Sequence, residues 1–298
     1  MKRALVTGGS AGIGKETVRH LAAQGYEVII AARDKAKGDA LVQQIKRETT
    51  GAQVEFMQVD LASFPDVIRF AQRIKERGHP IDALILNAGL FTPKLHTNAA
   101  GYEFMFAATH LGHFLLTHHL LPQVKASRNG RIVVTSSVAH FFGGDFNFDT
   151  LREPSSSTAL MFMPFLSYGR SKLANLLFVR ELAHRLRNSN VLVNAFHPGP
   201  VKSEIWRSTP GLFNALIGPT LISEAKGAET QIYLATAPGL HQSGQYWFKK
   251  AVQRGSPASR DEGLALELWH YSERALGIER FGEQDSETRV FDLAQQCA

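Results

Sequence analysis

The chain has 298 residues, 44% hydrophobic and 20% charged, with a net charge of +6 and a pI near 9.5. A chain this long buries roughly three-quarters of its unfolded surface, so a full core is expected; the basic excess is mild and scattered, with no Lys/Arg block longer than a pair, which argues against a nucleic-acid surface. The lone cysteine, Cys297, excludes an internal disulfide, and no stretch nears the ~20 apolar residues of a bilayer crossing.

The first strand is predicted from Arg3, with Ala4–Thr7 as its apolar run, which leaves no room before it for a targeting segment. The expectation is a soluble, cytoplasmic protein. A helix follows over Ile13–Gln24, closed by Gly25, then a strand over Tyr26–Ala31 and a helix over Lys35–Glu48. Gln53–Val59 is the third strand. Phe64–Glu76 is helical with Pro65 in its first turn. Ala83–Leu86 is the fourth strand, a long helix covers about Ala100–Ala126, and Arg131–Thr135 is the fifth strand. A helix over Phe165–Leu186 leads to a sixth strand, Val191–Phe196, and Gly244–Phe248 makes a seventh. A last helix, Asp261–Arg274, precedes a charged, mobile end. Strands alternating with helices of this length imply a doubly wound, mostly parallel α/β sheet of seven strands with helices on both faces, in one domain over 1–298.

In such sheets ligands bind beyond the carboxyl ends of the strands, and the unusual residues of this chain sit there. Strand one ends in Thr7-Gly8-Gly9-Ser10-Ala11-Gly12-Ile13-Gly14, a turn that lets the backbone approach a pyrophosphate and points a helix N-terminus at it. Strand two ends in Ala31-Ala32-Arg33-Asp34. Ala32 stands where an NAD site places a carboxylate, and the Arg33 guanidinium suits a 2′-phosphate, so NADP(H) is expected. The alternative makes Arg33 a solvated charge and gives the ribose to Asp34. Strand three ends in Asp60-Leu61, within reach of an adenine; strand four in Asn87-Ala88-Gly89; strand five in Ser136-Ser137; strand six in His197-Pro198-Gly199.

Tyr168 and Lys172 lie four apart on one helical face. A phenol titrates near ~10. An adjacent ammonium favours phenolate and lowers that value, which makes the pair a tunable proton donor and acceptor for an alcohol oxygen.

This set, Thr7 to Gly14, Asp60, Asn87-Ala88-Gly89, Ser137, Tyr168-x-x-x-Lys172 and Pro198-Gly199, resembles the short-chain dehydrogenase/reductase family over roughly residues 1–248. AATHLGHFLLT (107–117), YGRSKLANLL (168–177) and His197-Pro198-Gly199 are similar to its retinol dehydrogenase-like branch. The resemblance implies an NADP(H)-dependent oxidoreductase acting on a lipophilic carbonyl or alcohol. It assigns Tyr168 as general acid, Lys172 to lower the Tyr168 pKa and bind the nicotinamide ribose, and Ser137 to orient the substrate oxygen. Pro198, Gly199 and Ser203 would line the nicotinamide. The family often pairs its long helices, so a homo-oligomer is open.

Two departures stand out. Thr109 occupies the place of the family's catalytic Asn, before Leu111-Gly112-His113-Phe114. That keeps alive a rival reading, a non-catalytic NADP(H)-binding sensor or scaffold. The stretch between Ser137 and Tyr168 is long and rich in Phe and Met (Phe141, Phe142, Phe146, Phe148, Met161, Phe162, Met163, Phe165), which reads as an apolar pocket wall over about 138–167, or as side chains packing the insertion onto the domain. Such a wall also permits reduction of a large macrocycle. A segment over about 200–222, with Trp206, Leu212, Phe213, Leu216, Ile217 and Leu221, is expected to be a substrate lid; a membrane-facing or partner-facing role is the alternative. His110, His113, His118 and His119 crowd the long helix at metal-ligand spacing, but no Cys or carboxylate motif joins them, so no metal is expected.

Overall fold

The computed structural model describes residues 1–144, 146, 148–152, 163–201 and 221–283. One sheet runs through them in the order β3-β2-β1-β4-β5-β6-β7-β8. Its strands are β1 (Arg3–Thr7), β2 (Glu27–Ala32), β3 (Val54–Gln58), β4 (Ala83–Leu86), β5 (Gly130–Thr135), β6 (Val191–Phe196), β7 (Tyr246–Phe248) and β8 (Ala251–Gln253). All neighbours are parallel except β7 and β8. From β1 the chain goes outward through β2 and β3, then returns to place β4 on the other side of β1. That reversal opens a crevice between the ends of β1 and β4.

Every residue of β4 and β5 is buried, as expected of parallel strands covered on both faces. Alternate side chains sort into two cores. Leu5, Leu84, Leu86, Ile132 and Val134 face one layer, built by α3 (Phe64–Lys75), α5 (Gly112–Lys125), α6 (Met163–Arg185) and α8 (Glu262–Leu276). Ala4, Val6, Ala83, Ile85 and Val133 face the other, built by α1 (Gly12–Ala23), α2 (Lys35–Glu48) and α7 (Glu224–Thr236).

The expected elements are present, with four differences. The helix expected over 100–126 starts as α4 (Phe104–Phe106), capped by the Glu103 carboxylate on the Met105 and Phe106 N–H groups. It widens into a π turn at Ala107–Leu111 before α5. At Gly112 a Cβ would lie 2.2 Å from the Leu61 carbonyl oxygen, so only glycine lets the helix pass the end of β3. Helix α7 was not anticipated, because its buried face uses Ala228, Thr230 and Gln231 beside Leu234. Strand β8 adds an eighth, antiparallel strand to the seven expected; its exposed residues carry no pattern, and the turn before it puts Lys249 and Lys250 at φ 50° and 60°.

The C-terminal region is ordered further than Arg274. Helix α8 ends at Leu276 on left-handed Gly277. Phe281 then packs 4.5 Å from the buried Trp269 ring, and the Gly282 N–H donates to His118 Nδ1 at 3.0 Å. The aromatic insertion divides. Phe146 and Phe148 pack toward Phe106 and Tyr271, and the Arg152 guanidinium lies 4.9 Å over Tyr102 while donating to its hydroxyl. Phe141 and Phe142 remain exposed at 52% and 64%. Met161 and Phe162, the lid residues Ser203 and Trp206 to Ile217, and Cys297 lie outside the described residues.

Candidate active site

The crevice holds about 770 Å³. Of the residues singled out in the sequence, Gly8, Ser10, Ala11, Gly12, Ile13, Arg33, Asp60, Leu61, Asn87, Ala88, Gly89, Ser137, Tyr168, Lys172, Pro198 and Gly199 line it. Thr7 and Gly14 stand behind its wall, where contact with a ligand was expected of them; their work is to shape it.

Gly8 takes φ +63°, and a Cβ there would meet the Ala88 Cα at 2.9 Å; a Cβ on Gly14 would meet the Gly8 carbonyl at 2.4 Å. The loop therefore closes directly onto the end of β4. Helix α1 begins at Gly12 with no side-chain cap and no acidic residue in its first turn, so its free N–H groups and dipole are open to an anion. These features fit a dinucleotide pyrophosphate.

Thr7 is the hub behind this wall. Its Oγ1 accepts from the Asn87 and Ala88 N–H groups at 2.9 and 3.0 Å and lies 2.8 Å from His113 Nε2. His113 Nδ1 lies 2.9 Å from the Thr109 carbonyl, which can only accept, so Nδ1 carries the ring proton. Nε2 then accepts, and the Thr7 hydroxyl donates to it. Burial drives the His113 pKa down to about 3, with the nearby Lys172 charge adding to it. One directed chain thus ties β1, β4 and the π turn. Thr7→Val is expected to leave two N–H groups and Nε2 unpaired and to cost about 2–5 kcal/mol in urea unfolding. Thr7→Ser should restore most of it; equal loss in both would remove the hydroxyl from the account.

Tyr168 bonds to the Ser137 hydroxyl, and burial pushes its pKa up to about 12 against that bond. The Lys172 Nζ sits 5.6 Å from the Tyr168 ring centre and donates to the Thr135 carbonyl at 3.2 Å. Burial brings its pKa down to about 8. The lowering expected of Tyr168 is not seen: its shift is upward, because desolvation outweighs the Ser137 hydrogen bond. Both groups are drawn toward their neutral forms. Gly89 makes room for the lysine: a Cβ there would lie 2.7 Å from Nζ.

At the other end of the crevice Arg33 is exposed, and no described residue pairs with its guanidinium. Asp34 is occupied instead. Its carboxylate caps α2 through the Lys37 N–H at 3.0 Å and lies 3.8 Å from Lys37 Nζ.

Thr109 is fully buried and not on the crevice wall; Ala108 is. His110 bonds Ser272 at 2.9 Å and has its pKa lowered to about 3, burial being the main cause. Among the described residues no three His, Cys, Asp or Glu side chains converge on a metal geometry, and no helix is long and apolar enough to cross a membrane.

Near Tyr168 the wall is aromatic. Phe91 meets the Tyr168 ring edge-on at 6.0 Å and Phe165 at 4.9 Å, and Val138 and Phe142 complete it. His197, part of the strand-six motif, also lines the crevice; Phe91, two residues past the strand-four motif, does so without having been singled out in the sequence.

The short chain dehydrogenase family model matches residues 2–147. Human retinol dehydrogenase 14 is 36% identical over 297 residues, covering 93% of this chain and 87% of that protein. Mouse retinol dehydrogenase 12 is 38% identical over 281 residues, covering 93% and 87%. An uncharacterized protein from Mycobacterium paratuberculosis superposes with a TM-score of 0.74 at 31% identity, covering 93% of this chain and 94% of that one.

Proposed function

Because this chain belongs to the short-chain dehydrogenase/reductase family, with retinol dehydrogenases among its relatives, we propose that it is an NADP(H)-dependent oxidoreductase interconverting a lipophilic carbonyl and its alcohol. The observation that carries the reading is the Tyr168–Ser137 hydrogen bond beside Lys172, on a crevice whose adjoining wall is aromatic. Bound NADPH supplies the hydride. Ser137 holds the substrate oxygen against the Tyr168 hydroxyl. Tyr168, with a pKa near 12, is protonated at neutral pH and gives its proton to that oxygen as negative charge develops there. Lys172 keeps its ammonium beside the Tyr168 ring, where it would hold the nicotinamide ribose. The α1 N-terminus takes the pyrophosphate, and Arg33 takes the 2′-phosphate.

Val138, Phe142, Phe165 and Phe91 favour an apolar substrate over a sugar or small acid. The relatives' names point to retinol, a substrate of this kind. The reading takes 1–298 as one domain and keeps it in the cytoplasm. It is tested by following NADPH consumption at the nicotinamide absorbance with aldehydes of increasing chain length. kcat/KM is expected to rise about tenfold for every two methylenes until the wall is covered, at about 0.8 kcal/mol per buried methylene. A preference for short, hydrophilic carbonyls would refute the substrate class.

A further inference from the structure

Position 109 carries no side-chain amide, its carbonyl is engaged by His113 Nδ1, and its hydroxyl has no partner among the described residues. An amide is nevertheless present at the floor of the site. Asn175 lies one turn beyond Lys172 on α6 and is 1% exposed. Its Nδ2 donates to the Thr135 carbonyl at 3.1 Å, and the Lys172 ammonium donates to the same oxygen at 3.2 Å. Neither Asn175 Oδ1 nor Thr135 Oγ1 has a partner among the described residues. A buried amide oxygen left unpaired is costly, so its place here calls for a reason beyond packing.

We propose that Asn175 is a positioning residue of the reaction, supplying from α6 the amide that position 109 lacks and fixing the Thr135 carbonyl on which the Lys172 ammonium rests. The inference rests on the NADP(H)-dependent reading. It acts through Lys172: Nδ2 pins the carbonyl oxygen that also accepts from the ammonium, and a carbonyl held there favours the charged lysine against the desolvation that lowers its pKa. Among the described residues the titratable groups facing Lys172 are the phenol of Tyr168 on its own helix and His113 from α5, both neutral at pH 7. Asn175 is therefore the polar side chain that a substitution can use to move Lys172 without touching another charge.

The test titrates NADPH binding by nucleotide fluorescence between about pH 7 and 10 in wild type, Asn175→Leu and Asn175→Asp. Wild-type affinity is expected to fall as Lys172 loses its proton. In Asn175→Leu the midpoint moves down by about half a pH unit or more, and kcat at pH 7 falls about tenfold with the NADPH KM little changed. In Asn175→Asp, which keeps the shape of the side chain, the midpoint moves up as a carboxylate comes beside the ammonium. A packing role alone does not shift the midpoint in opposite directions. Unmoved midpoints in both variants, whatever their thermal stability, overturn the inference, as does a wild-type affinity flat across the range. No NADPH binding by wild type at any pH instead overturns the cofactor reading on which it stands.

Discussion

Tyr168→Phe is expected to lower carbonyl reduction at pH 7 by about a thousandfold while NADPH binding stays within a factor of about three. The substitution removes one atom. The ring keeps its edge-on contact with Phe91 and its place beside the Lys172 ammonium, so the crevice keeps its shape. What is lost is the proton donor bonded to Ser137. Among the described residues no other acid is placed to replace it: His113 is neutral and its Nδ1 proton is held by the Thr109 carbonyl, and Lys172 is turned to the Thr135 carbonyl. Steady-state NADPH consumption measures the first quantity and fluorescence titration the second. A mutant that turns over at the wild-type rate would place the proton elsewhere. A mutant that no longer binds NADPH would make Tyr168 a structural residue of the cofactor site.

Cofactor choice should turn on two adjacent positions. Arg33→Ala is expected to raise the KM for NADPH about 10- to 100-fold and leave that for NADH nearly unchanged, since a hydrogen bond to a charged group contributes about 1.5–3 kcal/mol. Adding Ala32→Asp should reverse the preference, because a carboxylate there repels the 2′-phosphate and accepts from the free ribose hydroxyls of NADH. Asp34 does not substitute for it, since its carboxylate is held by the α2 N-terminus. Measured kcat/KM for both nucleotides in the single and double variants gives the answer. Equal losses for NADPH and NADH in Arg33→Ala would return Arg33 to the role of a solvated loop charge.

Much of the fold and most of the crevice wall were legible because one rule turns chain order into place. Once strands alternate with helices, each strand end points to the same edge of the sheet, so Gly8, Arg33, Asp60, Asn87, Ser137 and Pro198 can be put together without knowing any distance. What the sequence hid depends on packing between elements. Asn175 gains its meaning from the Thr135 carbonyl on β5, and His113 from Thr7 on β1, partners far away along the chain. Helix α7 hid because Thr and Gln serve as its buried residues. The direction of the Tyr168 shift has the same kind of cause: the i+4 lysine is visible in sequence, but the burial that sets the shift is not. The Phe-rich insertion offered two readings, and the structure divides its side chains between them.

Two of the buried histidines of the long helix also set a lower bound on the conditions in which this fold survives. His110 and His113 are each 1% exposed, with pKa values held near 3, whereas in the unfolded chain each titrates near ~6.5. Below that value the unfolded chain takes up protons that the folded one refuses, so the stability present above pH 6.5 drains away as pH falls toward 3. At pH 5 the loss is about 2 kcal/mol for each residue, or about 4 for both, from a typical total of about 5–15. A urea unfolding midpoint that drops sharply between pH 7.5 and 5 would register it. The histidines thus work as a proton-linked brake on stability: the fold keeps its full margin near neutrality and enters mild acid with that margin markedly thinned.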